Sequence, residues 1–124
     1  MVNEFKNWLK QAEADIKTAE NSLKSKDYYA SAFWSQQATE KIIKSLLIKK
    51  KNRLIKIHDL VVLGRMAELP ADLLEKVKLL SGIYTESRYG IIEDKIPAEK
   101  FKEKDASEFL NIAHEVLKWV GKKA

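Results

Sequence analysis

Histidine and arginine are the residues through which this chain could do proton-transfer or phosphate chemistry, because cysteine is absent from its 124 residues. The run Arg53-Leu54-Ile55-Lys56-Ile57-His58 places a guanidinium and an imidazole with four residues between them. A histidine in this setting can act as general acid or base near neutral pH. An arginine can stabilise negative charge that develops on a phosphate. So short a pattern arises readily in a basic chain, and the preferred reading is structural, with His58 at a helix start and its ring bonded to a backbone group. His114 has no partner at a useful spacing and also reads as structural.

A second group lies upstream. Gln37, Glu40 and Lys44 fall on one row of a helix with Phe33, and form a polar strip on an otherwise apolar surface. Polar groups cannot be buried unpaired without cost, so the strip must reach water in a cleft or pair internally. In the functional reading Glu40 and Lys44, joined by Tyr84 and Arg88, line a pocket for a phosphate or a base. In the structural reading, which is preferred, Glu40 and Arg88 form an ion pair between two helices. Lys44, Lys49, Lys50, Lys51, Arg53 and Lys56 concentrate positive charge nearby. They could contact nucleic-acid phosphates without sequence preference, or simply complement a helix C-terminus. No aromatic platform for RNA bases is evident beside them. Metal binding is not expected, since the two histidines are far apart and no H-E-x-x-H motif occurs. A Gly-rich phosphate loop is also missing, and no cofactor is implied.

The elements that must position these residues are helices. Phe5, Trp8, Leu9, Ala12, Ile16, Ala19 and Leu23 recur at three- and four-residue spacing and predict a helix over about Val2 to Lys24. After the polar break Ser25-Lys26-Asp27, with Asp27 or Ser25 as N-cap, a second helix runs from about Tyr28 to Lys50. Its apolar residues cover a broad face, so it is expected to lie centrally. A shorter helix begins at His58-Asp59-Leu60 and reaches about Leu69. Pro70 suits the first turn of a fourth helix, which extends to Tyr89 and stops at Gly90. A last helix is expected from about Ala98 to Gly121. Short links favour antiparallel neighbours, hence an all-α, up-and-down four-helix bundle with an additional short helix. Trp8, Trp34 and Trp119 are expected in core or dimer-interface packing.

Bulk properties agree. Hydrophobic residues make up 45% and charged residues 33%, enough for a core, while 4 Gly and 2 Pro are too few for an all-β chain. The length suits one domain over residues 1–124. No apolar run approaches the roughly 20 residues that span a bilayer, and charge enters from the start of MVNEFKNWLK. A cytoplasmic protein with no membrane role is expected. The net charge of +5 permits attraction to nucleotides or nucleic acid.

Three sequence elements together resemble the HEPN domain family. Phe33-Trp34-Ser35-Gln36-Gln37-Ala38-Thr39-Glu40-Lys41-Ile42-Ile43-Lys44 resembles its F-x-x-Q-Q-A-x-E-K-x-x-K signature. His58-Asp59-Leu60 and Ser87-Arg88-Tyr89 resemble its H-D-L and S-R-Y elements, in the same order. The resemblance implies an antiparallel bundle that commonly dimerises and is associated with nucleotide or RNA chemistry. Some members pair with minimal nucleotidyltransferases as toxin–antitoxin systems, and some are metal-independent endoribonucleases. The ribonucleases use an arginine, then four to six residues, then a histidine. Here Arg88 is followed by Tyr89 to Asp94 without a histidine, a departure from that motif.

The expected function is therefore a nucleotide- or RNA-associated binding module, homodimeric and partnered by a nucleotidyltransferase, with Gln37, Glu40, Lys44, Tyr84 and Arg88 as ligand-binding residues. The alternatives are a metal-independent endoribonuclease using His58 with Arg53 or Arg88, and a helical protein-interaction module with no nucleic-acid role.

Overall fold

A computed structural model describes residues 4–82 and 97–123, and every regular element among them is a helix. Helix α1 spans Glu4–Lys24 and α2 spans Tyr28–Lys51, with α3 at Leu60–Met66 and α4 at Ala71–Ser81. Two more follow, a single turn α5 at Pro97–Lys100 and α6 at Glu103–Lys123.

α1 and α2 run antiparallel. Ser31 Oγ donates to the Ala19 carbonyl at 2.8 Å near one end, and Lys49 Nζ lies 5.3 Å from the Phe5 ring centroid near the other. Small residues let the backbones approach: Ala12 and Ala19 on α1 meet a helix whose buried face includes Ser31, Ala32, Ser35 and Ala38. α2 also packs along α6 and touches α3 and α5, so it is the central helix, as its broad apolar face predicts. Ile42, Ile43, Leu46 and Leu47 form the middle of the core, with Leu63, Val77, Val116 and Val120 closing over them. Burying a side chain of this size stabilises by about 1.5–3 kcal/mol.

Local signals set the boundaries. α2 ends at Asn52, whose left-handed φ of 52° brings its N–H to the Ile48 carbonyl at 2.8 Å. Asparagine tolerates that conformation better than most residues, which explains a stop without glycine. Asp27 occupies the N-cap position of α2, but its side chain makes no capping bond. Asp59 does cap α3, its Oδ1 accepting from the Val61 N–H at 2.9 Å and the Val62 N–H at 3.2 Å.

Three boundaries differ from the sequence expectation. Pro70 is the N-cap of α4 rather than a first-turn residue, with extended ψ of 149°. The final helix is interrupted: Phe101 turns into the core between α5 and α6, and Asp105 Oδ2 accepts from the Lys102 N–H at 3.0 Å to restart the helix. α4 is described as far as Ser81, and the expected continuation to Tyr89 lies outside the described residues.

Replacing Asp59 by alanine removes the α3 cap. The expected outcome is a loss of about 0.5–2 kcal/mol in chemical denaturation with little change in overall helicity by circular dichroism. An unchanged denaturation midpoint would show that the cap contributes nothing to stability.

Candidate functional site

Glu40 sits near the middle of α2, where packing on several sides leaves its side chain 9% exposed. A buried carboxylate needs donors, and it has three. Lys44, one turn along α2 and only 3% exposed, places Nζ 3.1 Å from Glu40 Oε2. His58 Nδ1 lies 2.8 Å from the same oxygen. Gln36 Nε2 is 3.5 Å from Oε1, a long contact. A carboxylate can only accept, so in this contact the Nδ1–H of His58 donates a hydrogen bond to Glu40.

The imidazole differs in setting from its partner. His58 lies in the connection between α2 and α3, and its side chain is 76% exposed. The Asp59 cap on the next residue fixes the backbone there. The arrangement is an exposed ring tethered through Nδ1 to a buried carboxylate, with Nε2 as the ring nitrogen that Glu40 does not engage. This corrects the expectation that the ring bonds a backbone group. The carboxylate of Glu40 takes that place, eighteen residues earlier in the chain.

The other expected residues divide. Gln37 is half-buried and donates to Gln36 Oε1 at 2.7 Å, which extends the polar row by one residue. Arg53 is exposed in the same connection as His58 and makes no hydrogen bond or ion pair among the described residues. Tyr84 and Arg88 lie outside the described residues, as does any Glu40–Arg88 pair. His114 pairs with Glu20 of α1 across 3.4 Å, a half-exposed contact between α6 and α1. Among the described residues no group of three or more His, Asp or Glu is gathered as a metal site would require. No helix among them is long and apolar enough to cross a membrane.

Sequence reasoning missed two residues. Gln36 is 1% exposed and stands one turn before Glu40, a spacing that could have identified it. Asp15 is 2% exposed on the apolar stripe of α1, where it accepts from Lys41 Nζ and, at 2.9 Å, from Gln11 Nε2. A lone acid inside a hydrophobic repeat was the available signal.

A small antiparallel helical bundle whose central helix buries a Gln-Glu-Lys row against an imidazole from the following loop defines a recognisable class. The chain belongs to the HEPN domain family, which it matches over residues 5–123. It is similar to the protein TT1696 from Thermus thermophilus, with a TM-score of 0.88 and 29% identity over 98% of this chain and 99% of that one. It is also similar to ST0689, an archaeal HEPN homologue, with a TM-score of 0.82 and 32% identity over 96% of each chain. No curated protein matches the sequence.

The buried pair predicts an asymmetry in stability. Lys44→Met alone removes the buried cation from Glu40, leaving only His58 and Gln36 as donors, and is expected to cost up to about 3–5 kcal/mol, while Glu40→Leu with Lys44→Met recovers most of that loss. His58→Ala, at the exposed end, is expected to shift thermal stability far less than Lys44→Met. Equal effects of the single and double replacements in urea denaturation would refute the buried-pair account.

Proposed function

We propose that this HEPN domain is a binding module for the phosphates of a nucleotide or RNA, acting as a homodimer in the cytoplasm beside a separate minimal nucleotidyltransferase. The observation that carries the reading is the exposed basic run leading into His58. Lys49, Lys50, Lys51, Arg53 and Lys56 are all exposed, and no acid intervenes before His58. Of these, only Lys50 approaches a carboxylate among the described residues, Glu68 at 3.9 Å, while Lys51, Arg53 and Lys56 have no ion pair there. Such a run attracts phosphate without reading sequence. The partnership is supported by the family resemblance, and dimerisation by that resemblance together with the exposed apolar side chains of Ile57, Val62 and Leu79. Glu40 and Lys44 neutralise one another, so their contribution to binding is to hold His58 at the edge of this run. Tyr84 and Arg88 complete the proposed set of ligand-binding residues.

A second reading, metal-independent endoribonuclease, is favoured by one feature: the Nδ1 tether to Glu40 leaves Nε2 of an exposed imidazole to exchange protons. Arg53 or Arg88 would then face the phosphorane.

The test is binding of labelled single-stranded RNA across a salt series. Each phosphate contact removed lowers the slope of log affinity against log salt by about 0.7. Replacing Lys51, Arg53 and Lys56 together by alanine is therefore expected to weaken binding and flatten the slope by about 2. Absence of RNA and nucleotide binding at low salt would overturn the reading and leave a protein-interaction role. The same samples in EDTA separate the second reading: cleavage lost in His58→Ala, and in Arg53→Ala or Arg88→Ala, would replace the binding module with an enzyme.

A further inference from the structure

The tryptophans are expected in core or dimer-interface packing, and Trp8 is the one that does not pack against the core. Trp34 and Trp119 both pack against the hydrophobic core, whereas Trp8 is half-buried and stands outside that cluster. It lines a cleft of about 230 Å³ with Asn7, Gln11 and Lys41, between the first turns of α1 and the middle of α2. Lys44 Nζ lies 5.7 Å from the Trp8 ring centroid, so the indole is held by the cation that also pairs with Glu40.

The polar groups of this cleft are specific in kind. Asn7 is exposed and makes no hydrogen bond among the described residues, so both its amide donor and its acceptor are free. Gln11 has its Nε2 committed to Asp15, leaving Oε1 as an acceptor. Lys41 is already neutralised by Asp15, so the cleft offers little to a purely anionic ligand. An aromatic face beside two amide side chains, with the nearby charge cancelled, suits a planar heteroaromatic ring whose edge carries both donors and acceptors. Asparagine and glutamine amides read such edges, and tryptophan stacks on such faces.

We propose that the Asn7–Trp8–Gln11–Lys41 cleft is a nucleobase subsite. The inference rests on the nucleotide- or RNA-associated reading above and adds to it the part of the ligand that the basic run cannot recognise. Lys49, stacked on Phe5 one turn of α1 before Trp8, lies about 12 Å along α2 from Lys41. A base in the cleft therefore has cations available on the side facing the basic run. Free nucleotide and single-stranded RNA share this chemistry.

Equilibrium dialysis with adenosine, AMP and an oligoadenylate of about ten nucleotides tests the subsite. Adenosine is expected to bind with little salt dependence and to change the tryptophan emission saturably. Trp8→Ala is expected to weaken adenosine binding at least about five-fold, while Trp8→Phe keeps a stacking face and retains binding. Asn7→Ala, at an exposed position that leaves the fold intact, is also expected to weaken it. Oligoadenylate binding tighter than AMP assigns the site to RNA, and equal affinity assigns it to the free nucleotide. Adenosine binding equally well to wild type, Trp8→Ala and Asn7→Ala overturns the subsite. So does salt-dependent retention of AMP and oligoadenylate without adenosine, a result that leaves the phosphate-binding module standing. Retention of none of the three overturns both.

Discussion

The structure depends on a single constraint: α2 is buried along most of its middle, so a charged side chain there must find a partner inside the protein. Unpaired, a buried charge costs far more than a surface charge can return. Along α2 Thr39 and Ser45 meet the constraint locally, donating to the Ser35 carbonyl at 2.8 Å and the Ile42 carbonyl at 2.7 Å, whereas the buried Ser35 hydroxyl has no hydrogen-bond partner among the described residues. Glu40 cannot be satisfied that way. Its carboxylate draws on Lys44 from its own helix, Gln36 from the preceding turn and His58 from beyond the helix.

That third donor ties the connection after α2 back onto the bundle. Residues 52–59 have no regular structure, yet Ile55 is buried, and the His58–Glu40 bond and the Asp59 cap act on consecutive residues. The chain is thereby held at both its backbone and its side chain where it enters α3. A buried ion pair is weak evidence for stability, and its better-attested use is to specify one arrangement among several. Here the arrangement specified is the placement of an exposed imidazole at the end of a basic run.

Helical periodicity and turn residues were sufficient to read the order and the central member of the long helices from the sequence, because the buried centre of α1, at Ala12, Ile16 and Ala19, keeps the three- and four-residue spacing of its apolar stripe. The break between α5 and α6 was not readable, since Phe101 continues an apolar pattern and nothing local marks the turn. At the site, the row Gln37, Glu40 and Lys44 was visible as helix spacing, and His58 as a motif. Their junction was not, because it depends on how the loop after α2 folds back, a long-range contact with no periodic signature. Trp8 illustrates the opposite limit. It sits on the same stripe as Ala12 and Ile16, but near the start of α1 the stripe extends past the core, and position on a helix does not reveal where the core ends.

The same long-range geometry bears on how the chain departs from the ribonuclease pattern of its family. No histidine follows Arg88 among residues 89–94. The imidazole of His58 is instead tethered inward, through Glu40 and Lys44, to the Trp8 ring. Lys44 is the hinge of that chain. It neutralises the anion that orients the imidazole and at the same time rests on the indole that lines the cleft. An exposed imidazole and the Trp8 ring are thus connected through three contacts. One buried charge pair on α2 meets the connection after it on one side and α1 on the other, at the centre of the core.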